Sequence, residues 1–283
     1  MKISHVFHLA LLLCAVPAFC FAEDVPGFAD SPGKRLCAHR GLSAVLPENT
    51  LPAYGAVVAM GAGEIEFDLW WTKDGEIVSI HDPTLERVSN GKGKVYEHTL
   101  AEIRALDFGT KSGGAHFAGL KAPTFEDILA QFARRTIMNI HVKDVGGKAW
   151  NEAHLRKVIK LIDAYRARKH VYFMTASVPV QKQLARLAPD IPRCMGNNAP
   201  GVDRTNKTHP NIVDRAVACK CSMVQLFKPY FDQALIDQAK AAGLRVNVCW
   251  ADDPEEAKKY FEMGADTVLT NDYQPVSSAT GVK

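Results

Sequence analysis

Eight short apolar runs, most of them followed by a stretch with helical periodicity, constrain this chain more than any other feature. Leu36–His39, Glu64–Trp70, Thr136–Val142, Val171–Ala176, Arg193–Gly196, Met223–Phe227, Arg245–Trp250 and Thr267–Thr270 are brief, apolar and bounded by Gly, Pro or Asn, which predicts strands. Helical patterns fall between most of them, over Asn49–Met60, Thr124–Arg134, Asn151–Arg168, Val180–Leu187, Asn211–Ala218, Phe231–Ala242 and Pro254–Glu262. Thr124 ahead of Glu126 and Asp127, Asp253 ahead of Pro254, and Pro179 after Ser177 are start signals; Gly61, Gly243 and Gly264 are stops. Alternating β and α units imply parallel strands with right-handed crossovers, and eight of them close into a (β/α)8 TIM barrel of the α/β class. A doubly wound open sheet is the competing topology, but no glycine-rich dinucleotide fingerprint accompanies it.

One stretch breaks the alternation. Ile77–His81 reads as an added strand paired to Glu64–Trp70 through the Asp74-Gly75 turn. The Gly-rich segment that follows, residues 83–120, holds one short helical stretch at Leu100–Leu106 and predicts a small insertion after the second strand, lying over the barrel mouth.

Residues 1–22 stand apart from this pattern. Lys2, an apolar run from Leu9 to Phe21 and Cys20-Phe21-Ala22 ahead of Glu23 have the form of a cleaved secretory signal. The expectation is a barrel domain over residues 23–283, exported and therefore periplasmic or secreted. No segment reaches the ~20 apolar residues of a membrane span, so no stable membrane anchor is expected. Of seven cysteines, two leave with the signal, and the odd set Cys37, Cys194, Cys219, Cys221 and Cys249 forms no disulfide framework and no zinc-finger spacing. The formal charge of +3 is too small to point to nucleic acid or an anionic membrane, so any anion needs a local site.

The strongest chemical signal is Glu64-Ile65-Glu66-Phe67-Asp68-Leu69-Trp70. Side chains alternate along a strand, so Ile65, Phe67 and Leu69 share one face while Glu66 and Asp68 point together to the other. In an all-parallel barrel both faces should be apolar. Two inward carboxylates would repel each other unless a cation sat between them, and oxygen donors of this kind suit Mg²⁺ or Ca²⁺. The competing reading is an edge strand with both acids in solvent. The next barrel strand repeats the pattern, with Asn139, His141 and Lys143 on one face, and His39-Arg40 and His81-Asp82 also fall at strand ends, where barrel enzymes carry their chemistry. Two histidines can divide acid and base roles, Arg40 offers bidentate phosphate recognition and Lys143 a point charge.

Taken in order, His39-Arg40-Gly41, Pro47-Glu48-Asn49-Thr50, Glu66-Phe67-Asp68, Thr72-Lys73-Asp74-Gly75 and His81-Asp82 resemble the glycerophosphodiester phosphodiesterase family. The resemblance runs on through Thr99-Leu100-Ala101-Glu102, Phe117-Ala118-Gly119, Pro123-Thr124-Phe125, Val246-Asn247-Val248-Cys249-Trp250 and Gly264-Ala265-Asp266, from about Arg35 to Pro275. It implies metal-dependent hydrolysis of small-molecule glycerophosphodiesters to glycerol 3-phosphate and an alcohol, with no nucleic-acid partner. By the same resemblance His39 and His81 are the acid–base pair, Arg40 and Lys143 hold phosphate, Glu66 and Asp68 bind the divalent metal ion (Mg²⁺ or Ca²⁺), and Trp250 packs on the glycerol.

The chain departs from the family pattern in two places. His141 stands where a metal-binding glutamate is expected, which keeps a lone pair but loses a negative charge and shifts preference toward Zn²⁺ or Mn²⁺. His141 is expected to remain a ligand, aided by Asp144. Thr270-Asn271-Asp272 replaces a Thr-Asp pair, leaving the role of Asp272 open. Two other functions compete: a related lysophospholipid or sphingolipid phosphodiesterase, with an apolar rim from Phe108, Phe117, Phe227, Tyr230 and Phe231, and a non-catalytic barrel that binds phosphodiesters.

Overall fold

The computed structural model describes residues 24–31, 33–143, 150–196 and 212–283. The expected signal segment, Asp144 and the first residue of the helix expected over Asn211–Ala218 lie outside the described residues. The strands are β1 (Arg35–His39), β2 (Glu64–Trp71), β3 (Ile77–Ser79), β4 (Ile137–Val142), β5 (Val171–Thr175), β6 (Arg193–Gly196), β7 (Met223–Phe227), β8 (Arg245–Cys249) and β9 (Thr267–Thr270). Eight of them pair in parallel in the order β1-β2-β4-β5-β6-β7-β8-β9, and β9 pairs with β1 again, so the sheet closes on itself. The open-sheet alternative is thereby excluded. β3 lies outside this ring, antiparallel to β2, as the Asp74-Gly75 turn implies: Thr72 N donates to Glu76 O over 2.8 Å.

The helices are α1 (Leu51–Ala59), α2 (Leu100–Ala105), α3 (Thr110–Gly113), α4 (Phe125–Phe132), α5 (Glu152–Ala164), α6 (Val178–Leu187), α7 (Ile212–Ala218), α8 (Gln233–Ala241), α9 (Pro254–Glu262) and α10 (Tyr273–Thr280). Their starts follow side-chain chemistry. Thr124 and Asp127 close a reciprocal capping box on α4, Thr99 and Glu102 do so on α2, and Asn151, Asp232 and Asp253 each accept from a first-turn N–H. α5 stops at Ala164, short of the expected Arg168, because Arg166 turns to φ +53° and a 3-10 turn follows at Arg168–His170. α10 is absent from the sequence pattern. Its Tyr-Gln-Pro-Val-Ser-Ser-Ala-Thr run has weak propensity, and burial of Tyr273 and Val276 against the barrel supplies what propensity lacks.

The main core lies between strands and helices. Phe67 on the outer face of β2 packs against Tyr54 of α1 and Phe125 of α4, and Tyr54 against Phe132. The insertion joins this core through Leu85, Val88, Val95, Ile103 and Phe108. At the opposite end Phe28 plugs the barrel, with the guanidinium carbons of Arg35 and Arg245 5.0 and 4.7 Å from its ring centre. Among the described residues all five cysteines are free and buried, and no helix is long and apolar enough to cross a membrane.

Candidate active site

The register of β1, β2 and β4 sets the site. His39 pairs with Glu66, and Asp68 pairs with His141, so three adjacent strands present polar side chains at one level near their C-terminal ends. The edge-strand reading fails here, because Glu66 is 1% and Asp68 0% exposed. They line a cavity of about 310 Å³ together with His39, Arg40, His81, Asp82, His141, Lys143, Phe227 and Trp250. His39, Arg40, Glu66, Asp68, His81, His141, Lys143 and Trp250 are therefore in one place, whereas Asn139 does not line this cavity.

Local backbone geometry makes this possible just after β1. Arg40 adopts φ +58° and Asn49 φ +55°, a region unfavourable for side-chain-bearing residues that persists only when the surroundings impose it. Arg40 N donates to Glu66 O at 3.0 Å and to Glu66 Oε2 at 3.2 Å, and Asn49 N donates to Arg40 O at 3.1 Å. Gly41 follows at φ +83°, and any Cβ there would stand 2.7 Å from the backbone of Ala53 in α1.

Asp68 is the electrostatic centre. Asn49 Nδ2 donates to its Oδ2 at 3.0 Å, and the Arg40 Nε lies 3.7 Å from that atom. Lys143 Nζ and His141 Nδ1 lie 3.3 and 2.9 Å from Oδ1 as ion-pair contacts off hydrogen-bond angles, so this buried oxygen has no hydrogen-bond partner of good geometry. Burial alone would raise the Asp68 pKa, but Lys143 and the nearby imidazoles outweigh it and hold the carboxyl well below its usual range. Glu66 goes the other way: burial and then Asp68 push its carboxyl well above the ordinary value. Ligand atoms of Glu66, Asp68 and His141 lie within 4.8 Å of one another, a grouping unique among the described residues. Two carboxylates and an imidazole with an orphaned buried oxygen fit a divalent cation.

The two other histidines are held differently. His39 Nδ1 lies 2.8 Å from Asn271 Oδ1, and Asn271 Nδ2 donates in turn to Asp252 Oδ2 at 2.9 Å. Because that amide must donate to a carboxylate, its oxygen faces His39 and the imidazole proton sits on Nδ1. Burial, and then Arg40, lower the His39 pKa to about 3, so the ring is neutral with a free lone pair on Nε2. His81 Nδ1 instead meets Asp82 Oδ1 at 2.5 Å, and Asp82 Oδ2 is bound by Arg87. His141 is also held neutral, its pKa lowered to about 4 by burial and then Lys143.

Sequence reasoning assigned no role to Asn49, Asp82, Arg87, Asp252 or Asn271. Asn49 and Asp82 lay inside the quoted motifs, and Asn271 stood at the noted departure, but Asp252 and Arg87 carried no local signal. Trp250 stacks near-parallel to His39 with ring centres 6.3 Å apart, and Lys228 Nζ lies 5.6 Å from the Trp250 ring centre. The apolar rim that the competing lysophospholipid or sphingolipid reading would want is not supplied as a set: Phe108 is buried in the core, Phe231 packs on Tyr260, and of the five aromatics Phe227 alone lines this cavity.

A closed parallel barrel with acids, imidazoles and cationic side chains gathered at its C-terminal mouth defines a barrel hydrolase acting on phosphate esters. Residues 39–274 match the glycerophosphoryl diester phosphodiesterase family, and the chain belongs to that family and is a phosphoric diester hydrolase. The glycerophosphodiester phosphodiesterase of Caldanaerobacter subterraneus subsp. tengcongensis is 29% identical over 238 residues, spanning 83% of this chain and 93% of that protein. That of Bacillus subtilis is 41% identical over 150 residues, half of this chain and 51% of the relative. The barrel also matches an Oleispira antarctica phosphodiesterase solved with its product sn-glycerol-3-phosphate, at TM-score 0.76 and 24% identity, covering 88% of this chain and 97% of that one. Family membership sets the non-catalytic reading aside.

Proposed function

We propose that this glycerophosphodiester phosphodiesterase is an exported, metal-dependent enzyme that releases glycerol 3-phosphate and an alcohol by acid–base catalysis between His39 and His81. One observation carries the reading: both imidazoles line a single cavity with the acid cluster, and each has its Nδ1 engaged by a different kind of partner. That asymmetry divides the roles. His39 is neutral, the state a base must start from, and Asn271, Asp252 and the Glu66 carboxylate 3.9 Å from Nε2 offset the charge it gains on accepting a proton. His81 is gripped at Nδ1 by Asp82 Oδ1 at 2.5 Å, which fixes the ring and leaves Nε2 as the atom that would pass a proton to the leaving alkoxide. The proton His39 takes comes from water or from the substrate's own glycerol hydroxyl, and the second route passes through a cyclic phosphate. Arg40 and Lys143 hold the phosphate anion in both, and Trp250 with Phe227 forms an apolar wall for the glycerol.

Glu66, Asp68 and His141 would hold the cation. When bound, it neutralises charge building on the phosphoryl oxygens. The imidazole donor favours Mn²⁺ or Zn²⁺ over the Mg²⁺ or Ca²⁺ of an all-oxygen site.

Coupled detection of glycerol 3-phosphate from glycerophosphocholine, with metals added singly, tests the activity. His39→Ala and His81→Ala should each lower kcat by about 10²–10⁴ with folding intact, and undiminished turnover in either ends the assignment. Metal analysis of protein purified without chelator reads the cation, and full occupancy in His141→Ala would remove that residue from the ligand set. N-terminal sequencing of the exported protein should begin at Glu23.

A further inference from the structure

The insertion reaches the site through Arg87, whose guanidinium forks between two carboxylates. Nη1 and Nη2 lie 2.8 and 2.7 Å from Glu48 Oε2 and Oε1, and Nε lies 2.5 Å from Asp82 Oδ2. Each of these acids has a second partner in the cavity. Asp82 Oδ1 holds His81 Nδ1 at 2.5 Å, while Glu48 Oε1 and Oε2 stand 3.2 and 3.4 Å from Arg40 Nη1. The turn carrying Arg87 is rigid: Leu85, Val88 and Ser89 are buried, and Ser89 N and Oγ both donate to Leu85 O, at 3.0 and 2.8 Å.

An ordinary exposed ion pair contributes little and would predict nothing for catalysis. The distances separate this arrangement from that case. Glu48 sits closer to Arg87 than to Arg40, so a planar fork engages both carboxylate oxygens and leaves Arg40 with only the two longer contacts from Nη1 and a buried Nε without a hydrogen-bond partner. Arg40 is thus kept available for an incoming anion. The same fork fixes the far oxygen of Asp82 and with it the orientation of the His81 ring.

We infer that Arg87 is a positioning residue for the reaction: it clamps Asp82 against His81 and holds Glu48 back from a closer contact with Arg40. The inference rests on the roles proposed for His81 and Arg40, and the two effects should separate kinetically. With Arg87→Met, Glu48 closes on Arg40 and competes with the substrate phosphate, raising KM about tenfold, while the freed Asp82 lowers kcat by a similar factor, each the size of one charge-assisted hydrogen bond. Adding Glu48→Gln removes the competitor, so the double variant should recover KM to within about twofold of the parent while kcat stays low.

Glycerophosphocholine turnover of the metal-loaded enzyme, with melting temperature and active-site titration to normalise for folded protein, reads both constants. Wild-type kcat or KM in Arg87→Met, or a KM that stays high in the double variant, overturns the inference. Arg40→Met and His81→Ala run alongside. If they impair turnover while the Arg87 variants do not, this inference alone fails; if they do not, the underlying assignment of Arg40 and His81 fails with it.

Discussion

Glu64 and Glu66 stand two residues apart on β2, both turned into the barrel and both sealed from water, yet their surroundings are opposite. Glu64, at the closed end, receives Arg35 Nε at 2.8 Å and the Tyr172 hydroxyl, and Tyr172 is in turn held by Asn247 Nδ2 at 2.9 Å. Glu66, at the open end, receives one backbone N–H, while Asp68 faces it from the same strand. Burial and strand are shared, and the complement of partners differs. A buried carboxylate whose lone pairs are all met by protein is a structural bolt, and one left short is a place for a ligand.

That contrast can be broken most directly by neutralising each acid in turn. Glu66→Gln should cost about 10³-fold in turnover, roughly 4 kcal/mol of transition-state stabilisation, while the metal-free protein melts at or above the parent temperature because a repulsion has been removed. Glu64→Gln should do the reverse. It leaves Arg35 buried against a neutral amide and destabilises the fold by about 3 kcal/mol in urea titration, with kcat per folded molecule within about twofold of the parent. Loss of stability in the first variant comparable to the second would erase the distinction.

Acidity sharpens it further. The Glu66 pKa is raised in the folded state, so its contribution to the stability of metal-free protein is present at low pH and lost as pH rises through the raised value. Thermal melts with chelator should show that loss as pH is raised, and Glu66→Gln or added metal should flatten it. His39 and His141 have the opposite sign. With folded values of about 3 and about 4, their contribution is full above the ordinary 6.5 and declines as pH falls through 6 toward 3. The smallest expected effect is at the His39 clamp: Asn271→Ala should lower kcat about tenfold with KM unchanged, the size of one hydrogen bond to a group that becomes charged.

Much of this was legible in the chain. The alternation of strand and helix patterns pointed to parallel strands with crossovers on one hand, and the count of eight favoured closure over an open sheet. The Asp74-Gly75 turn announced β3, and the period-2 spacing of Glu66 with Asp68 and of Asn139 with His141 put the polar groups of each strand on one face. The aromatics that the competing lipid reading would need were not placed by spacing, because exposure of an aromatic is decided by what packs above it: Phe108 and Phe231 found neighbours. α10 went unseen because docking, not propensity, forms it.

Residue identities and local spacing therefore determined the fold class, the acid pair and the histidines, because strand periodicity and turn chemistry act over a few residues. Tertiary structure alone decided which nitrogen of each imidazole is free and which carboxylate lacks partners. It also decided that Asp252, Asn271 and Arg87 belong to the site at all. Those outcomes depend on groups up to 232 residues apart in sequence meeting at hydrogen-bond distance, and such a meeting leaves no trace in the order of the residues.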